Sequence, residues 1–377
     1  MSSSPPPSFL TPSPNDLNQI YRTLSNREQA RRILSQRSLQ SGTSNSTATV
    51  HEEPFGVTVG SSRDNMGNNR YGDIIAYDSS RILIPSTSTS NSTSETTSSE
   101  FYVNASLILE PDLGFSPQDL PRRYWVAAQG PTTPTIPSFL SLLLHSPCSP
   151  SHPDPNLSPI QLIIQLTPLI EQNREKCAPY FPSDREGEEW IWETEDREDG
   201  GVGTVWVRYE GRIEGERGER RSRLRVGNEE GEEGREVIHV EYLGWRDHGV
   251  PEDPSHLVSF INRMNALNLS LSSSSSSSSP SPILLHCSAG VGRTGTYLTI
   301  SSLLPLLKLY VSNPSLTPSP TTKEERHPIG EGYPHRGDFV GMTVDKVRDQ
   351  RTTMVQTKDQ LGFVYQALQT AWEEKLY

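Results

Sequence analysis

The stretch Ile283-Leu284-Leu285-His286-Cys287-Ser288-Ala289-Gly290-Val291-Gly292-Arg293-Thr294-Gly295 decides the reading of this chain. An apolar run predicts a strand, a glycine-rich turn follows, and an apolar segment from Tyr297 to about Leu309 predicts a helix. Strand, loop and helix in that order turn backbone N–H groups and a helix N-terminus toward an anion. Two chemistries compete for the loop. Gly290-x-Gly292-x-x-Gly295 has the form of a dinucleotide fingerprint, which also wants an acid about 20 positions on at the end of a second strand. The next acid after Gly295 is Glu324, inside a Pro-rich stretch. The other chemistry uses Cys287 and Arg293, which bracket five loop residues. Loop amides can encircle a phosphate, the arginine fork can hold two of its oxygens, and a thiol in that positive field ionises to the nucleophilic thiolate.

The string His286-Cys287-Ser288-x-Gly290-x-Gly292-Arg293-Thr294-Gly295 resembles the phosphate loop of the cysteine-based, phosphotyrosine-specific protein tyrosine phosphatases of non-receptor type. The resemblance implies Cys287 as nucleophile. Ser288, Ala289, Gly290, Val291, Gly292 and Arg293 would form the phosphate cradle, Thr294 would assist thiolate departure, and His286 would flank the nucleophile. Further matches run in family order along the chain. Trp245-Arg246-Asp247-His248-Gly249-Val250-Pro251 resembles the mobile acid loop, with Asp247 as general acid and then base; read alone it is an ordinary turn. Asn69-Arg70-Tyr71-Gly72-Asp73-Ile74 resembles the phosphotyrosine-recognition loop, Tyr71 stacking on the substrate ring and Asp73 accepting a substrate N–H. Glu171 is implied to orient Arg293, and Lys176 to contact Asp247. Arg348-x-x-Arg351-x-x-Met354-Val355-Gln356-Thr357-x-x-Gln360 resembles the water-positioning loop, with Gln356 as first choice and Gln360 as second. Tyr102-Val103-Asn104-Ala105-Ser106 and Ala127-Ala128-Gln129-Gly130-Pro131 match family strings read as structural. Departures are Arg246 for the usual Pro, Phe139-Leu140 for Phe-Trp and Tyr180-Phe181-Pro182 for Tyr-Trp-Pro.

The implied fold is α/β: one phosphatase-like domain over residues 16–377, a twisted mixed sheet flanked by helices. Low-complexity insertions are expected near 85–100, 146–158, 210–235, 270–281 and 313–336. Residues 1–14 are Ser/Pro-rich and read as a disordered tail. Asp16 to about Gln40 reads as two helices, the second opened by a Ser25/Glu28 capping box. Gln161 to Leu166 reads as a buried strand. Period-two runs at Trp190/Trp192, Val205/Val207/Tyr209 and Ile238/Val240/Tyr242 predict an antiparallel meander with solvated Gly/Glu/Arg turns between them.

Hydrophobic residues are 32% of the 377, and about 39% with the 27 glycines, below the usual ~45–50% of globular domains, as expected of a core diluted by polar filler. A net charge of −12 argues against a general nucleic-acid binder. No segment approaches the ~20 apolar residues of a membrane span. Three widely spaced cysteines, Cys148, Cys177 and Cys287, offer no disulfide framework, and the scattered histidines offer no metal spacing. The expectation is a cytoplasmic protein, with the nucleus open, acting on phosphotyrosine-containing proteins without a cofactor or metal; its oligomeric state is left open. A pseudophosphatase that holds phosphotyrosine without turnover and a phosphatase of broader specificity are the alternatives.

Overall fold

The computed structural model describes residues 5–41, 53–84, 101–193, 203–229, 233–245, 249–272, 280–313, 318 and 327–377. In chain order these residues form helix α1 (Pro14–Ser41), strands β1 (Ala105–Leu109) and β2 (Tyr124–Ala128), helix α2 (Ile136–Ser141), and strand β3 (Leu162–Gln165). A small hairpin, β4 (Ile170–Glu171) and β5 (Arg174–Glu175), precedes strands β6 (Glu189–Trp192), β7 (Val205–Ile213), β8 (Glu219–Asn228) and β9 (Arg235–Tyr242). Helix α3 (Pro254–Ser272), strand β10 (Ile283–His286) and helices α4 (Gly292–Ser312), α5 (Phe339–Arg348) and α6 (Lys358–Glu374) complete the order.

The large sheet has the order β1-β2-β10-β3-β9-β8-β7-β6. Its centre, β2-β10-β3-β9, is parallel, and both flanks are antiparallel. β10 lies between β2 and β3, with His286 beside Ala128 on one side and Gln165 on the other. Every residue of β10 is buried, as suits a central parallel strand covered on both faces. Ile283 and Leu285 join the core under α3, α4, α5 and α6, and Leu284 joins the core under α2. Fully burying one such side chain contributes about 1.5–3 kcal/mol, so the strand that carries the loop is firmly anchored. Pro305 sits inside α4 and has no N–H for the carbonyl of Ser301; Arg123 supplies the missing donor at 2.9 Å. Among the described residues no helix is long and apolar enough to cross a membrane.

The fold confirms the expected α/β class and corrects several local expectations. The described part of the supposed tail, residues 5–14, is packed. Leu10 is 1% exposed, and Phe9 sits edge-on against Phe339 at 5.1 Å. Two apolar residues suffice to dock a Ser/Pro-rich segment. Residues 16–40 form one helix, not two. Ser25 donates back to the carbonyl of Tyr21 instead of capping a new start, and the buried stripe Ile20, Leu24, Glu28, Arg31 runs straight through it. The Arg-rich segment taken as a solvated turn contains strand β8. Ser222, Leu224 and Val226 point inward, while Arg223 and Arg225 pair with Glu236 and Glu210 on the neighbouring strands. Cross-strand ion pairs replace the apolar alternation that would have marked a strand. The Pro/Ser spacer at 146–158 is docked, with Ser149 and Leu157 buried. Residues 85–100 lie outside the described residues, as do 273–279 of the Ser run and 319–326 of the last spacer.

Candidate active site

β10 ends at His286, the loop runs over Cys287 to Val291, and α4 begins at Gly292. Gly290 has φ 71°, the left-handed region, and a Cβ there would overlap the Ala128 carbonyl, so glycine is required on both counts. The Cys287 thiol is 5% exposed and accepts a hydrogen bond from the Gly290 N–H at 3.2 Å. Behind the loop lies Arg351, wholly buried. Its guanidinium donates to the carbonyls of Gly290 (2.8 Å) and Ala289 (3.1 Å), to Asn104 Oδ1 (2.9 Å) and to Ser106 Oγ (3.2 Å). In a trans peptide the N–H opposes the C=O. Drawing these two carbonyls toward Arg351 turns the amides of Gly290 and Val291 the other way, to the thiol side. Burial lowers the Arg351 pKa to about 10, so it remains a cation at neutral pH.

Arg293, in the first turn of α4, donates to Glu171 Oε1 at 2.5 Å and to the Leu166 carbonyl at 3.1 Å. Glu171 belongs to the β4–β5 hairpin, whose turn residues Gln172 and Asn173 are both left-handed, at φ 50° and 58°. A two-residue turn of that hand matches strand twist, so the segment is a hairpin. Lys176 is half-buried and makes no ion pair among the described residues. Asp247, its expected partner, lies outside them, together with Arg246 and His248. The flanks of that loop are fixed, with Trp245 Nε1 donating to the Gly249 carbonyl at 3.3 Å.

Tyr71 stands beside the loop, its hydroxyl 2.8 Å from Ser288 Oγ. Its neighbour Arg70 donates to the carbonyls of Gly130 (2.9 Å) and Pro131 (2.6 Å), and the Arg70 N–H donates to Gln129 Oε1. Asn69 Oδ1 accepts from Tyr102 and Asn104. The two strings read as structural are therefore what holds the Tyr71 segment. Asp73 is exposed. On the far side, Gln356 and Gln360 both adjoin Gly292: a Cβ there would meet Gln360 Nε2 at 2.9 Å and Gln356 Oε1 at 3.4 Å. Gln360 is committed to a capping box, its Oε1 accepting from the N–H groups of Gln356 (2.9 Å) and Thr357 (3.3 Å). The Gln356 side chain is exposed and makes no hydrogen bond among the described residues. Thr294 is buried, and its hydroxyl has no hydrogen-bond partner among the described residues; the one hydrogen bond to the Cys287 sulfur comes from Gly290.

The site thus joins a thiol, a cradle of amides and a clamped arginine, reached by an aromatic wall and by glutamine side chains. The family model described as protein-tyrosine phosphatase matches residues 65–370. The chain belongs to the protein-tyrosine phosphatase family. It is 31% identical over 304 residues to human receptor-type tyrosine-protein phosphatase C, covering 81% of this chain and 18% of that protein. It is 26% identical over 329 residues to mouse tyrosine-protein phosphatase non-receptor type 4, covering 86% of this chain and 27% of that protein. A protein-tyrosine-phosphatase of Arabidopsis thaliana is 28% identical over 319 residues, 82% of this chain and 72% of that protein. The chain spans about a fifth of the length of the receptor-type relatives.

Within this phosphatase domain, sequence reasoning missed the buried cations. Arg351 lies in the string that resembles the water-positioning loop, and nothing in its spacing signals burial. Arg348 is similar: it donates to the carbonyls of Met354 (2.8 Å) and Val355 (2.8 Å). It thereby secures a turn in which Thr353 and Val355, both β-branched, hold φ 61° and 56°. Such residues cost about 1–3 kcal/mol each and persist only where the surroundings fix them.

His286 lies beneath the loop and is fully buried. Its Nδ1 is 3.3 Å from the Cys287 carbonyl and must donate there, so Nε2 accepts from the Tyr180 hydroxyl at 3.0 Å. His239 Nε2 donates to Gln165 Oε1 at 3.1 Å. One departure from the family pattern packs here: Phe181 meets His239 at 4.6 Å, while Phe139, next to the departing Leu140, meets His286 at 5.4 Å. Burial pushes His286 down to about 4 and His239 to about 3. Both are therefore neutral in the fold and protonate in the unfolded chain near pH 6.5. Stability is present above pH 6.5 and is lost as pH falls toward 4, by up to about 1.4 kcal/mol per unit for each group. His239→Gln keeps a donor at the same place and should flatten that decline by about one proton's worth. Equal slopes of unfolding free energy between pH 6 and 4.5 for the two proteins would contradict this.

Proposed function

We propose that this domain hydrolyses phosphotyrosine in proteins through a cysteinyl-phosphate intermediate. The observation that carries the reading is the aim of the Gly290 N–H at the Cys287 sulfur, in a loop whose exit carries Arg293 clamped by Glu171. The Cys287 thiolate attacks phosphorus and forms an S–P bond while the P–O bond to tyrosine breaks. Asp247 gives its proton to the departing phenolate oxygen. Arg293 and the amides of Gly290 and Val291 bear the charge on the three equatorial oxygens. In the second step Asp247 takes a proton from water held by Gln356, the water oxygen bonds to phosphorus, and sulfur leaves as thiolate. The buried hydroxyl of Thr294 at the head of α4, without a hydrogen-bond partner among the described residues, is the donor assigned to that sulfur. His286 acts by positioning, through the Cys287 carbonyl. Gln360 shapes the loop through its cap. We place the reaction inside the cell, where a thiol nucleophile stays reduced.

Specificity rests on Tyr71, whose ring walls the entrance beside Ser288. A phosphotyrosine reaches a cradle at the bottom of a slot; a phosphothreonine is too short. The test compares kcat/KM for matched phosphotyrosine and phosphothreonine peptides, with Tyr71→Ala as the variant. Wild type should favour phosphotyrosine strongly. Tyr71→Ala should lose about tenfold in peptide affinity through lost stacking and leave inhibition by inorganic phosphate within about twofold. Equal turnover of both peptides would overturn the tyrosine reading, and binding without turnover would make the domain a pseudophosphatase.

A further inference from the structure

Helix α1 lies outside the residues that match the family model, yet it reaches the catalytic loops. Glu28 is buried, and its Oε1 accepts three hydrogen bonds: from Thr352 Oγ1 (2.7 Å), from the Thr353 N–H (2.9 Å) and from Thr353 Oγ1 (3.2 Å). Arg32 Nη2 donates to Thr353 Oγ1 at 3.1 Å. Arg348, which carries the next two carbonyls of the turn, is itself held by the Leu24 carbonyl of α1 at 3.0 Å. Arg31 locks the helix in place on α5, its Nη2 donating to Asp345 Oδ1 at 2.7 Å and its Nε to Asp349 Oδ1 at 2.8 Å.

We propose that α1, through Glu28, positions the loop that places the hydrolytic water, and so governs the second chemical step; the proposal rests on the assignment of Gln356 above. The Gln356 side chain makes no hydrogen bond of its own among the described residues, so the backbone before it sets its aim. That backbone passes through two left-handed β-branched residues, Thr353 and Val355. Val355 is pinned from the phosphate loop, its N–H donating to the Val291 carbonyl at 3.2 Å, and from Arg348. Thr353 is pinned by α1. Without Glu28 its N–H loses the charged acceptor, and the residue can relax to negative φ, which redirects the chain into Gln356. The cradle around Cys287 does not depend on Glu28: Arg351 and Gly290 hold it. Cysteinyl-phosphate formation should therefore survive the loss of Glu28, and its hydrolysis should not.

The test is rapid-mixing kinetics with p-nitrophenyl phosphate, which separates nitrophenol release from phosphoenzyme breakdown. Glu28→Ala should leave the rate of release within about twofold and slow breakdown at least about tenfold; Glu28→Gln, which keeps one acceptor oxygen, should slow it about threefold. Adding Thr353→Gly to Glu28→Ala should restore breakdown to within about threefold of wild type, because glycine occupies the left-handed region without steric cost. Gln356→Ala is the reference. If it leaves breakdown unchanged, the reading of Gln356 fails; if it slows breakdown and Glu28→Ala does not, the role of α1 alone is overturned. An equal fall in both steps would also overturn it, since that marks general support of the fold. Should Glu28→Ala not fold, Glu28→Gln decides, and unchanged breakdown in it counts against the proposal.

Discussion

Cys287→Ser should abolish turnover, by at least about 10⁴-fold, and leave the affinity for inorganic phosphate within about threefold. The substitution changes one atom in a site whose other parts are anchored elsewhere. Arg351 still turns the loop amides forward, and Glu171 still holds Arg293. A serine hydroxyl is a far weaker nucleophile than a thiolate, so the cradle should remain while the proposed nucleophile is lost. The side chain is small and almost fully buried, and the melting temperature should move by only a few degrees. Two measurements check this: turnover of a phosphotyrosine peptide, and phosphate affinity from protection against thermal unfolding. Residual turnover within tenfold of wild type would remove Cys287 from the mechanism. Loss of both turnover and phosphate affinity would mean that the sulfur shapes the loop.

Arg293→Lys comes second, with a fall in kcat/KM of about 10²–10³. Arginine here has two jobs at once. One edge of the guanidinium meets Glu171 and the Leu166 carbonyl, and the remaining N–H groups stay available for phosphate. Lysine presents a compact charge with three donors and cannot offer a planar fork to two oxygens while holding a carboxylate behind it. It also leaves Glu171 less well neutralised beside a dianionic substrate, which raises KM as well as lowering kcat. Glu171→Gln removes only the anchor and should cost roughly tenfold, within the range for losing a hydrogen bond to a charged group. If Arg293→Lys and Glu171→Gln lost the same amount, the arginine would owe its effect to its anchor and not to its fork.

What could be read from the sequence follows how local the chemistry is. β10, its loop and α4 were legible because one uninterrupted string carries nucleophile, glycines and arginine. Glu171 and Tyr71 were legible by resemblance, and the structure sets them against Arg293 and Ser288. β8 was not legible, because cross-strand Arg–Glu pairs gave its outer face the composition of a turn. The unity of α1 was hidden by Ser25, whose hydroxyl can cap a helix or bond back within one, and only tertiary packing decides. Arg351 and Glu28 were missed for the same reason. Both are charged residues at long sequence distance from their partners, and burial of a charge becomes intelligible only once its partners are in place.

Arg351 reaches the loop from 61 positions beyond Gly290, and that separation has a consequence during synthesis. At about 5–20 residues per second, Cys287 leaves the ribosome roughly 3–13 s before Arg351 does. Through that interval the loop carbonyls have no guanidinium to turn toward, the amides have no reason to converge on sulfur, and Cys287 is one thiol among three. The nascent chain therefore lacks the formed cradle, which closes only when the last helices dock.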